Sequence, residues 1–357
     1  MKHIAVFRMS AMGDVAISVP VITAFTEQYP EVKITYVTRP MFAPMFAHLP
    51  NVELFTAELK GRHKGLCGLY RLYCELHCKE IDGVADIHNV LRSNIIKFFF
   101  KRKRIPFEQI DKGRKEKRAL TRAKNKVFAP LKPSYERYAD VFARLGFPID
   151  LSDTYLVPHP QVSDTVAQLL TDGVRIGVAP FASFAGKEYP FKRMCEVIMR
   201  LSELHPEGKI YVFGGGESDE MKVQYLDLPN VVNMVGRLCF KQELELISHL
   251  DVMLSMDSGN GHLSAMYGVP TLTVWGVTHP YAGFYPYGQP DSYAILADRQ
   301  QFPLIPTSVY GKTFPKGYEK VFDSIPVERI VEKVESVLAG HTDNEAYTYT
   351  HIQKYNL

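Results

Sequence analysis

Near its start the chain reads Ile4-Ala5-Val6-Phe7-Arg8-Met9-Ser10-Ala11-Met12-Gly13-Asp14. The apolar run before Arg8 predicts a short buried strand, and Val15 to Tyr29 predicts the helix that follows it. Ile34 to Val37 predicts a second strand, so a βαβ unit is expected at the beginning of the fold. Because ligands of such sheets bind beyond the carboxyl ends of the strands, the turn before Asp14 is a candidate functional loop.

Strand and helix patterns alternate along the rest of the chain in two sets. The first set adds expected strands at Val52 to Phe55, Gly83 to Ile87 and Ile105 to Phe107, and helices at Gly65 to Lys79, Val90 to Phe100 and Tyr135 to Leu145. The second set has expected strands at Arg175 to Ala179, Lys209 to Phe213, Val252 to Met256 and Thr271 to Val274, with helices at Lys192 to Leu204, Glu217 to Tyr225, Gln242 to Leu250, Asn260 to Tyr267 and Pro326 to Leu338. The fold class is therefore expected to be α/β, with two doubly wound domains at residues 1–160 and 161–340 facing across a cleft, and a tail at 341–357.

Composition is that of an ordinary globular protein. The chain has 357 residues, which is too long for one ordinary core. Hydrophobic residues make up 46% and charged residues 23%, which is far from the composition of a disordered protein. Five cysteines form an odd set without metal-binding spacing, so reduced thiols in a cytoplasm are expected. No apolar stretch reaches the ~20 residues needed to cross a bilayer, and the first residues lack the pattern of a signal peptide.

Positive charge is concentrated in one region. Between Ile95 and Lys126 the sequence has thirteen Lys or Arg against three acidic residues, although the net charge of the whole chain is only +3. Such a run is typical of a solvated surface segment. It also suits an anionic ligand or anionic lipid headgroups, and these alternatives stay open.

Asp14 is the first candidate for chemistry. A carboxylate at the start of a helix is stabilised in its ionised form, which suits a general base. The same residue type in the same place is also an ordinary helix N-cap. The sequence Gly-x-Gly-x-x-Gly of dinucleotide-binding proteins is absent.

Two later loops suit a phosphorylated nucleotide. Ser183 and Lys187 follow an expected strand and offer a hydroxyl donor and a point charge for phosphate, although a surface loop with an incidental lysine would look the same. Glu217 follows Gly214-Gly215-Gly216 and can accept both hydroxyls of a ribose, or only complement the dipole of its helix.

The most specific cluster is Met256-Asp257-Ser258-Gly259-Asn260-Gly261-His262, between an expected strand and helix. Its small residues leave backbone N–H groups free for an anion at the helix N-terminus, and Ser258 and His262 add side-chain donors. No Asp-x-Asp loop and no zinc-like Cys/His spacing is present, so no metal and no separate cofactor is expected.

Together these motifs resemble glycosyltransferase family 9, the bacterial lipopolysaccharide heptosyltransferases. The resemblance rests on Arg8-x-Ser10-x-x-Gly13-Asp14, Ser183 with Lys187, Gly214-Gly215-x-Glu217, Asp257-Ser258-Gly259-x-Gly261-His262 and the segment Asp86 to Ser93, and it extends to about Gly340. Two departures stand out. Glu188-Tyr189-Pro190 replaces a family segment of glycine and Trp-Pro, and Asn260 replaces a common proline.

The resemblance implies a GT-B fold of two Rossmann-like domains and an inverting, metal-independent transfer of heptose from ADP-heptose to a lipid-linked core acceptor. Asp14 would be the base, and Lys187 would assist the departing phosphates. The implied donor-binding residues are Ser183, Glu217, Met234, Asp257, Ser258, Gly259, Gly261 and His262. The implied acceptor-binding residues are Gly13, His88, Arg92 and Arg118.

The expected partners are a nucleotide-sugar donor and an anionic lipid-linked glycan, with peripheral contact to the cytoplasmic face of the inner membrane and no nucleic acid. Two alternatives remain. The chain could use another nucleotide-sugar in surface glycan synthesis, or it could be a nucleotide-binding protein without catalysis.

Overall fold

A computed structural model describes residues 1–340, which divide into two compact units. The first unit comprises Met1–Gly113 and Lys132–Pro158, and the second comprises Arg114–Leu131 and the residues from His159 onward. The main division thus lies close to the expected one after residue 160. A single boundary cannot account for Arg114–Leu131, however, because this segment precedes residue 160 and yet groups with the second unit. The expected tail at 341–357 lies outside the described residues.

The first unit is built on a five-stranded parallel sheet with the order β3-β2-β1-β4-β5. Its strands are β1 (His3–Phe7), β2 (Lys33–Thr38), β3 (Val52–Thr56), β4 (Gly83–Asp86) and β5 (Phe107–Gln109). Its helices are α1 (Met12–Gln28), α2 (Gly65–His77), α3 (Leu91–Arg102) and α5 (Ser134–Arg144), and the intervening helix α4 (Arg114–Thr121) belongs to the second unit. Every connection between neighbouring parallel strands crosses over the sheet, as the βαβ pattern predicts.

Helices cover both faces of this sheet. Helix α1 is buried continuously from Val15 to Thr26 because it packs beside α5 as well as against the strands. The rings of Phe25 and Phe142 lie 4.8 Å apart at the α1–α5 contact. Leucines and aromatics of α2 and α3 form a further core with Phe7 of the central strand. Burial all round explains why α1 lacks an amphipathic pattern.

The second unit is built on a six-stranded parallel sheet with the order β11-β10-β9-β6-β7-β8. Its strands are β6 (Arg175–Ala179), β7 (Lys209–Val212), β8 (Val231–Asn233), β9 (Val252–Met256), β10 (Thr271–Trp275) and β11 (Ala294–Leu296). Its helices are α4 (Arg114–Thr121), α6 (Asp164–Ala167), α7 (Phe191–Leu204), α8 (Glu217–Val223), α9 (Phe240–Ser248), α10 (Gly259–Met266) and α11 (Val327–Leu338). The central strands β6 and β9 bring the loops after Ala179 and Met256 to the same edge of the sheet.

The segment Arg114–Leu131 is held to the second unit by cations and by backbone bonds. The Lys117 ammonium lies 4.0 Å from the centre of the Phe284 ring, and the Arg299 guanidinium lies 3.4 Å from that of Phe128. The Lys126 ammonium donates to the carbonyl oxygen of Pro306 at 2.7 Å. Burial, with Arg299 nearby, lowers the pKa of Lys126 to about 8. The expected boundary after residue 160 places this segment in the first domain, whereas its contacts group it with the second unit.

Among residues 1–340, no helix combines the length and the apolar character needed to cross a membrane.

Candidate active site

In the first unit, the candidate base Asp14 forms an ion pair with Arg8. Arg8 directly follows β1, and its Nη2 contacts the Oδ2 atom of Asp14. The Arg8 side chain is 7% exposed and that of Asp14 is 25% exposed. Arg8 Nη1 also donates to the carbonyl oxygen of Ile87 at 2.7 Å, and its guanidinium lies 5.7 Å from the centre of the Tyr138 ring. Arg8 therefore holds one side of the carboxylate while the other side stays accessible.

Asp14 also has the ordinary role of a residue at a helix start. It lies in the first turn of α1, next to Gly13, and its Oδ2 accepts the N–H of Ala11 at 3.3 Å. Carboxylates in a first helical turn are stabilised by the free N–H groups there. The capping role and a partly accessible carboxylate are thus compatible.

His88 lies beside this pair on the loop after β4. Its Nε2 is 3.4 Å from the hydroxyl oxygen of Ser10, and its buried Nδ1 has no hydrogen-bond partner in the described chain. Burial lowers the pKa of His88 to about 3, with Arg8 as a further cause. The imidazole is therefore neutral at physiological pH and adds no positive charge next to Asp14.

A buried aspartate shapes the loop that carries His88. Asp86 Oδ1 accepts the backbone N–H groups of His88 and Asn89 at 3.0 and 2.9 Å, and its Oδ2 accepts Nε2 of Gln109 at 2.8 Å. Asn89 has a positive φ of 44°. Asp86 thus fixes the turn that delivers the Ile87 carbonyl to Arg8.

The predicted acceptor-binding residues do not all lie together. Gly13 and His88 flank the Arg8–Asp14 pair, and Arg92 is exposed in the first turn of α3. Arg118 is exposed on α4 and belongs to the second unit, not to the unit that carries Asp14. The sequence analysis was wrong to group Arg118 with the first unit, because α4 packs against residues that are distant in sequence.

In the second unit, Lys187 and Asp257 form a buried ion pair. Lys187 Nζ lies 2.9 Å from Asp257 Oδ2, and the two side chains are 16% and 5% exposed. The same oxygen accepts the hydroxyl of Thr278 at 2.8 Å, and Thr278 is also buried. The three residues come from the loops after β6, β9 and β10, which are neighbouring strands. Sheet order therefore assembles this cluster.

The start of helix α10 lies directly after Asp257. Ser258 is the N-cap residue, and its Oγ is 3.1 Å from Oγ of Ser255. The first N–H groups of an α-helix have no partner within the helix, and donors of this kind at Gly259 suit an anion. Asn260 provides an N–H that a proline would lack. Gly261 packs against β9, where a Cβ atom would approach Ser255 Oγ to 3.3 Å, and His262 is buried in the same turn.

A second group of residues surrounds the glycine loop after β7. A Cβ atom on Gly214 would lie 2.8 Å from the Phe181 ring and 3.1 Å from Val235, so only glycine fits there. Met234 is buried beside Val235. Glu217 is exposed at the first position of α8, after Gly216 with a φ of 93°.

Ser183 is exposed in the loop after β6, and the residue that follows Lys187 ties this loop to α8. Glu188 accepts the N–H of Ala182 at 3.2 Å and the Lys222 ammonium at 3.1 Å. The Lys222 ammonium also lies 5.0 Å from the centre of the Phe181 ring. Glu188 is thus a fixed member of the loop and not a random departure from the glycine of the family pattern.

One partner of each aspartate was not predicted from the sequence: Arg8 for Asp14 and Thr278 for Asp257. Arg8 was noted only as part of a motif, and Thr278, Glu188 and Lys222 were given no role. Arg8 and Thr278 both lie just past a buried strand, at the edge where ligands of such sheets bind. Their position just past a strand was the sequence signal that could have marked them as candidate site residues.

In residues 1–340, no group of three or more His, Cys, Asp or Glu side chains lies together in a way that could hold a metal ion.

Residues 69–305 match the family model of glycosyltransferase family 9 (heptosyltransferase). The chain belongs to glycosyltransferase family 9. This membership confirms the family predicted from the motifs and makes the protein a glycosyltransferase. The α/β fold with two Rossmann-like sheets is of the GT-B type, as the resemblance implied.

Known proteins resemble the chain over most of its length. The lipopolysaccharide core heptosyltransferase OpsX of Haemophilus influenzae is 24% identical over 286 residues, which cover 78% of this chain and 80% of the relative. The solved family 9 glycosyl transferase from Veillonella parvula has a TM-score of 0.72 at 20% identity, with 95% and 98% of the two chains covered. The structure of E. coli heptosyltransferase WaaC with ADP-2-deoxy-2-fluoro heptose has a TM-score of 0.63 at 17% identity, with 94% and 99% covered. These likenesses support the fold.

Proposed function

We propose that this glycosyltransferase moves a heptose from ADP-heptose to a sugar of a lipopolysaccharide core. The observation that carries the proposal is the Lys187–Asp257–Thr278 cluster beside the N-terminus of α10. A cation and free backbone N–H groups at one edge of a sheet suit a diphosphate. The identities of the heptosyl group, the adenine base and the core acceptor are inferred from the relatives. These include a core heptosyltransferase and a structure with an ADP-linked heptose analogue.

In this proposal the second unit binds the donor. The phosphates contact the first turn of α10 at Ser258 and Gly259, and the Lys187 ammonium shares its charge between Asp257 and the phosphates. Glu217 binds the ribose hydroxyls from its exposed position on α8. Met234, which is buried beside Val235 near the glycine loop after β7, borders the adenine.

The first unit supplies the base. The acceptor oxygen attacks the anomeric carbon of the heptose, the bond from that carbon to the phosphate oxygen breaks, and ADP departs with the bonding electrons. Asp14 takes the proton of the acceptor hydroxyl on its accessible side. A single displacement inverts the anomeric configuration. The charge that develops on ADP is met by Lys187 and the α10 N-terminus, and this reaction needs no metal ion.

Nucleotide binding tests the donor site directly. Because a ligand that binds only the folded state stabilises it by mass action, ADP at about 100 times its Kd should raise the melting temperature by about 5 to 10 °C. UDP and GDP should raise it less. The control is Lys187→Ala, which should lose most of the ADP effect. A larger shift with UDP or GDP would favour the alternative of another nucleotide-sugar, and no shift with any of the three would contradict the donor site.

Turnover tests the rest of the proposal. The protein is incubated with ADP-heptose and a core acceptor, with and without EDTA, and the anomeric configuration of the product is read by NMR. We expect transfer with inversion and an unchanged rate in EDTA. Loss of the rate in EDTA would contradict the metal-independent mechanism. Binding of ADP without transfer to any core acceptor would favour a nucleotide-binding protein without catalysis.

A further inference from the structure

Helices α2 and α3 of the first unit carry an exposed apolar surface that the transfer reaction does not use. We call it the α2–α3 face and define it by Leu66 and Tyr70 on α2 and Leu91 and Phe98 on α3. These four side chains are between 52% and 78% exposed. A single exposed leucine is ordinary, but four large apolar side chains on two adjacent helices indicate an interaction surface.

Ring contacts make the face continuous. The ring of Phe99 lies 5.1 Å from that of Tyr70 and 5.7 Å from that of Phe98, so it joins the two helices. Leu66 precedes Tyr70 by one helical turn, and Leu91 precedes Phe98 by two turns, so each pair lies along one side of its helix. The face is therefore one patch and not four separate residues.

Cations border the face on the side where α3 ends. The Arg102 guanidinium lies 5.7 Å from the centre of the Phe98 ring, and Lys101, Lys103 and Arg104 are exposed next to it. The sequence has no Asp or Glu between Ile87 and Phe107. On α2, Arg71 is exposed beside Tyr70, whereas the nearest carboxylate, Glu75, is engaged by Arg62 and His63. The surroundings of the apolar patch are positive.

We propose that the α2–α3 face docks on the surface of an anionic lipid membrane. Apolar and aromatic side chains flanked by Lys and Arg are the composition of segments that lie in the plane of the membrane interface. Phe98, Leu91, Tyr70 and Leu66 enter the headgroup layer, and the cations from Lys101 to Arg104 contact the lipid phosphates. Four consecutive exposed cations that run past the end of a helix suit a layer of many anions better than one acidic partner.

The other half of the basic region has no such face. In the segment from Arg114 to Leu131, which the structure describes completely, Val127 is the one large apolar side chain that is exposed. Lys115 and Lys124 are exposed there and belong to the second unit. The thirteen cations form one region in the sequence, and the structure divides them into a part beside a patch of several apolar side chains and a part without such a patch. This division provides a charge-matched control.

Vesicle co-sedimentation of the full chain tests the proposal without any sugar nucleotide. Vesicles of phosphatidylcholine alone are compared with vesicles that also contain phosphatidylglycerol. We expect binding to the second kind only, weakened by salt because the attraction is screened. Each cation near an anionic surface is worth about fivefold in affinity, so Lys101→Gln with Arg102→Gln should weaken binding about 25-fold. Lys115→Gln with Lys124→Gln should change it less than twofold.

A second variant tests the apolar part. Leu91→Ser with Phe98→Ser should abolish binding to anionic vesicles while the melting temperature and the transfer to a water-soluble acceptor stay unchanged. Equal binding by this variant and the unaltered protein would overturn the proposal, as would equal effects of the two cation variants. A concentration-dependent dimer in sedimentation velocity that this variant dissolves would assign the face to a second copy of the chain and also overturn it. Because the assay needs no donor, its failure is distinct from failure of the proposed function.

Discussion

Asp14 and Asp257 occupy comparable places in the two units but have opposite surroundings. Each lies past the end of a sheet strand, near the start of a helix, and each is paired with one cation. Asp14 is 25% exposed and its cation Arg8 is the more buried partner, whereas Asp257 is 5% exposed and its cation Lys187 is the more accessible one. The carboxylate faces outward in the first unit, and the ammonium does so in the second.

This inversion suits different chemistry. A base must reach the proton that it removes, so its carboxylate needs an open side, and Arg8 leaves one. A phosphate needs a cation, so Lys187 must be reachable while Asp257 and Thr278 hold it in place. A pair of one carboxylate and one cation can therefore serve as a proton acceptor or as an anion site, depending on which of the two partners is buried.

The largest expected effect follows from replacing the outward carboxylate. Asp14→Asn keeps an oxygen that accepts from Arg8 but cannot take a proton, so kcat should fall by about 10³, within the range for loss of a general base. The affinity for ADP, measured by titration, should stay within about twofold if the two units have the separate tasks proposed here.

The matched variant is Asp257→Asn, which should weaken ADP binding because Lys187 loses its buried anchor. If Asp14→Asn retained near-normal turnover with an unchanged melting temperature, Asp14 would not be the base, and the exposure of its carboxylate would need another explanation.

A smaller effect is expected on stability from Lys187→Ala. The change leaves the Asp257 carboxylate buried with Thr278 as its remaining side-chain partner, and a buried charge without its counterion lowers the free energy of unfolding by roughly 3 kcal/mol. Denaturant unfolding measures this loss. The control is Lys222→Ala, which removes the cation of the more exposed pair with Glu188 and should cost about 1 kcal/mol or less.

Restoring neutrality sharpens this test. The double variant with Lys187→Ala and Asp257→Asn should regain most of the lost stability, because no unpaired charge remains. Equal instability of the single and double variants would show that Lys187 stabilises the unit by packing rather than by charge.

The smallest effect concerns the pH dependence of the first unit. The pKa of His88 is lowered to about 3 by burial, with Arg8 as a further cause, so between about pH 6.5 and pH 3 the unfolded chain binds a proton that the folded chain does not. Stability is therefore lost as the pH falls through 6.5. His88→Gln removes this loss, and the difference in unfolding free energy between variant and parent should shift by roughly 2 kcal/mol from pH 8 to pH 5.

The same pH dependence in parent and His88→Gln would mean that His88 titrates alike in the folded and unfolded chain, and that it brings a positive charge next to Asp14 below pH 6.5.

Local patterns predicted most of the regular structure. Strands β6 and β9 have the predicted limits, because short runs of apolar and β-branched residues are read directly from sequence. Helix α4 was missed because Arg114–Thr121 has few apolar residues, and its burial depends on Lys117 packing on Phe284. Strands β8 and β11 were missed because a three-residue strand gives little pattern, and the equally short β5 was predicted two residues too early, at Ile105 to Phe107 instead of Phe107–Gln109.

Patterns within short segments of the sequence predicted the α/β class, the order of most elements, the family and the candidate residues Asp14, Lys187 and Asp257. Only the tertiary structure decided that Thr278 and Lys187 share one oxygen of Asp257, that Arg8 covers one side of Asp14, and that the basic region belongs to two units. Those facts depend on which strands are neighbours in a sheet and on which residues bury a charge. The neighbouring strands and the burial of a charge are both determined by contacts between residues far apart in sequence, so a local sequence pattern cannot predict them.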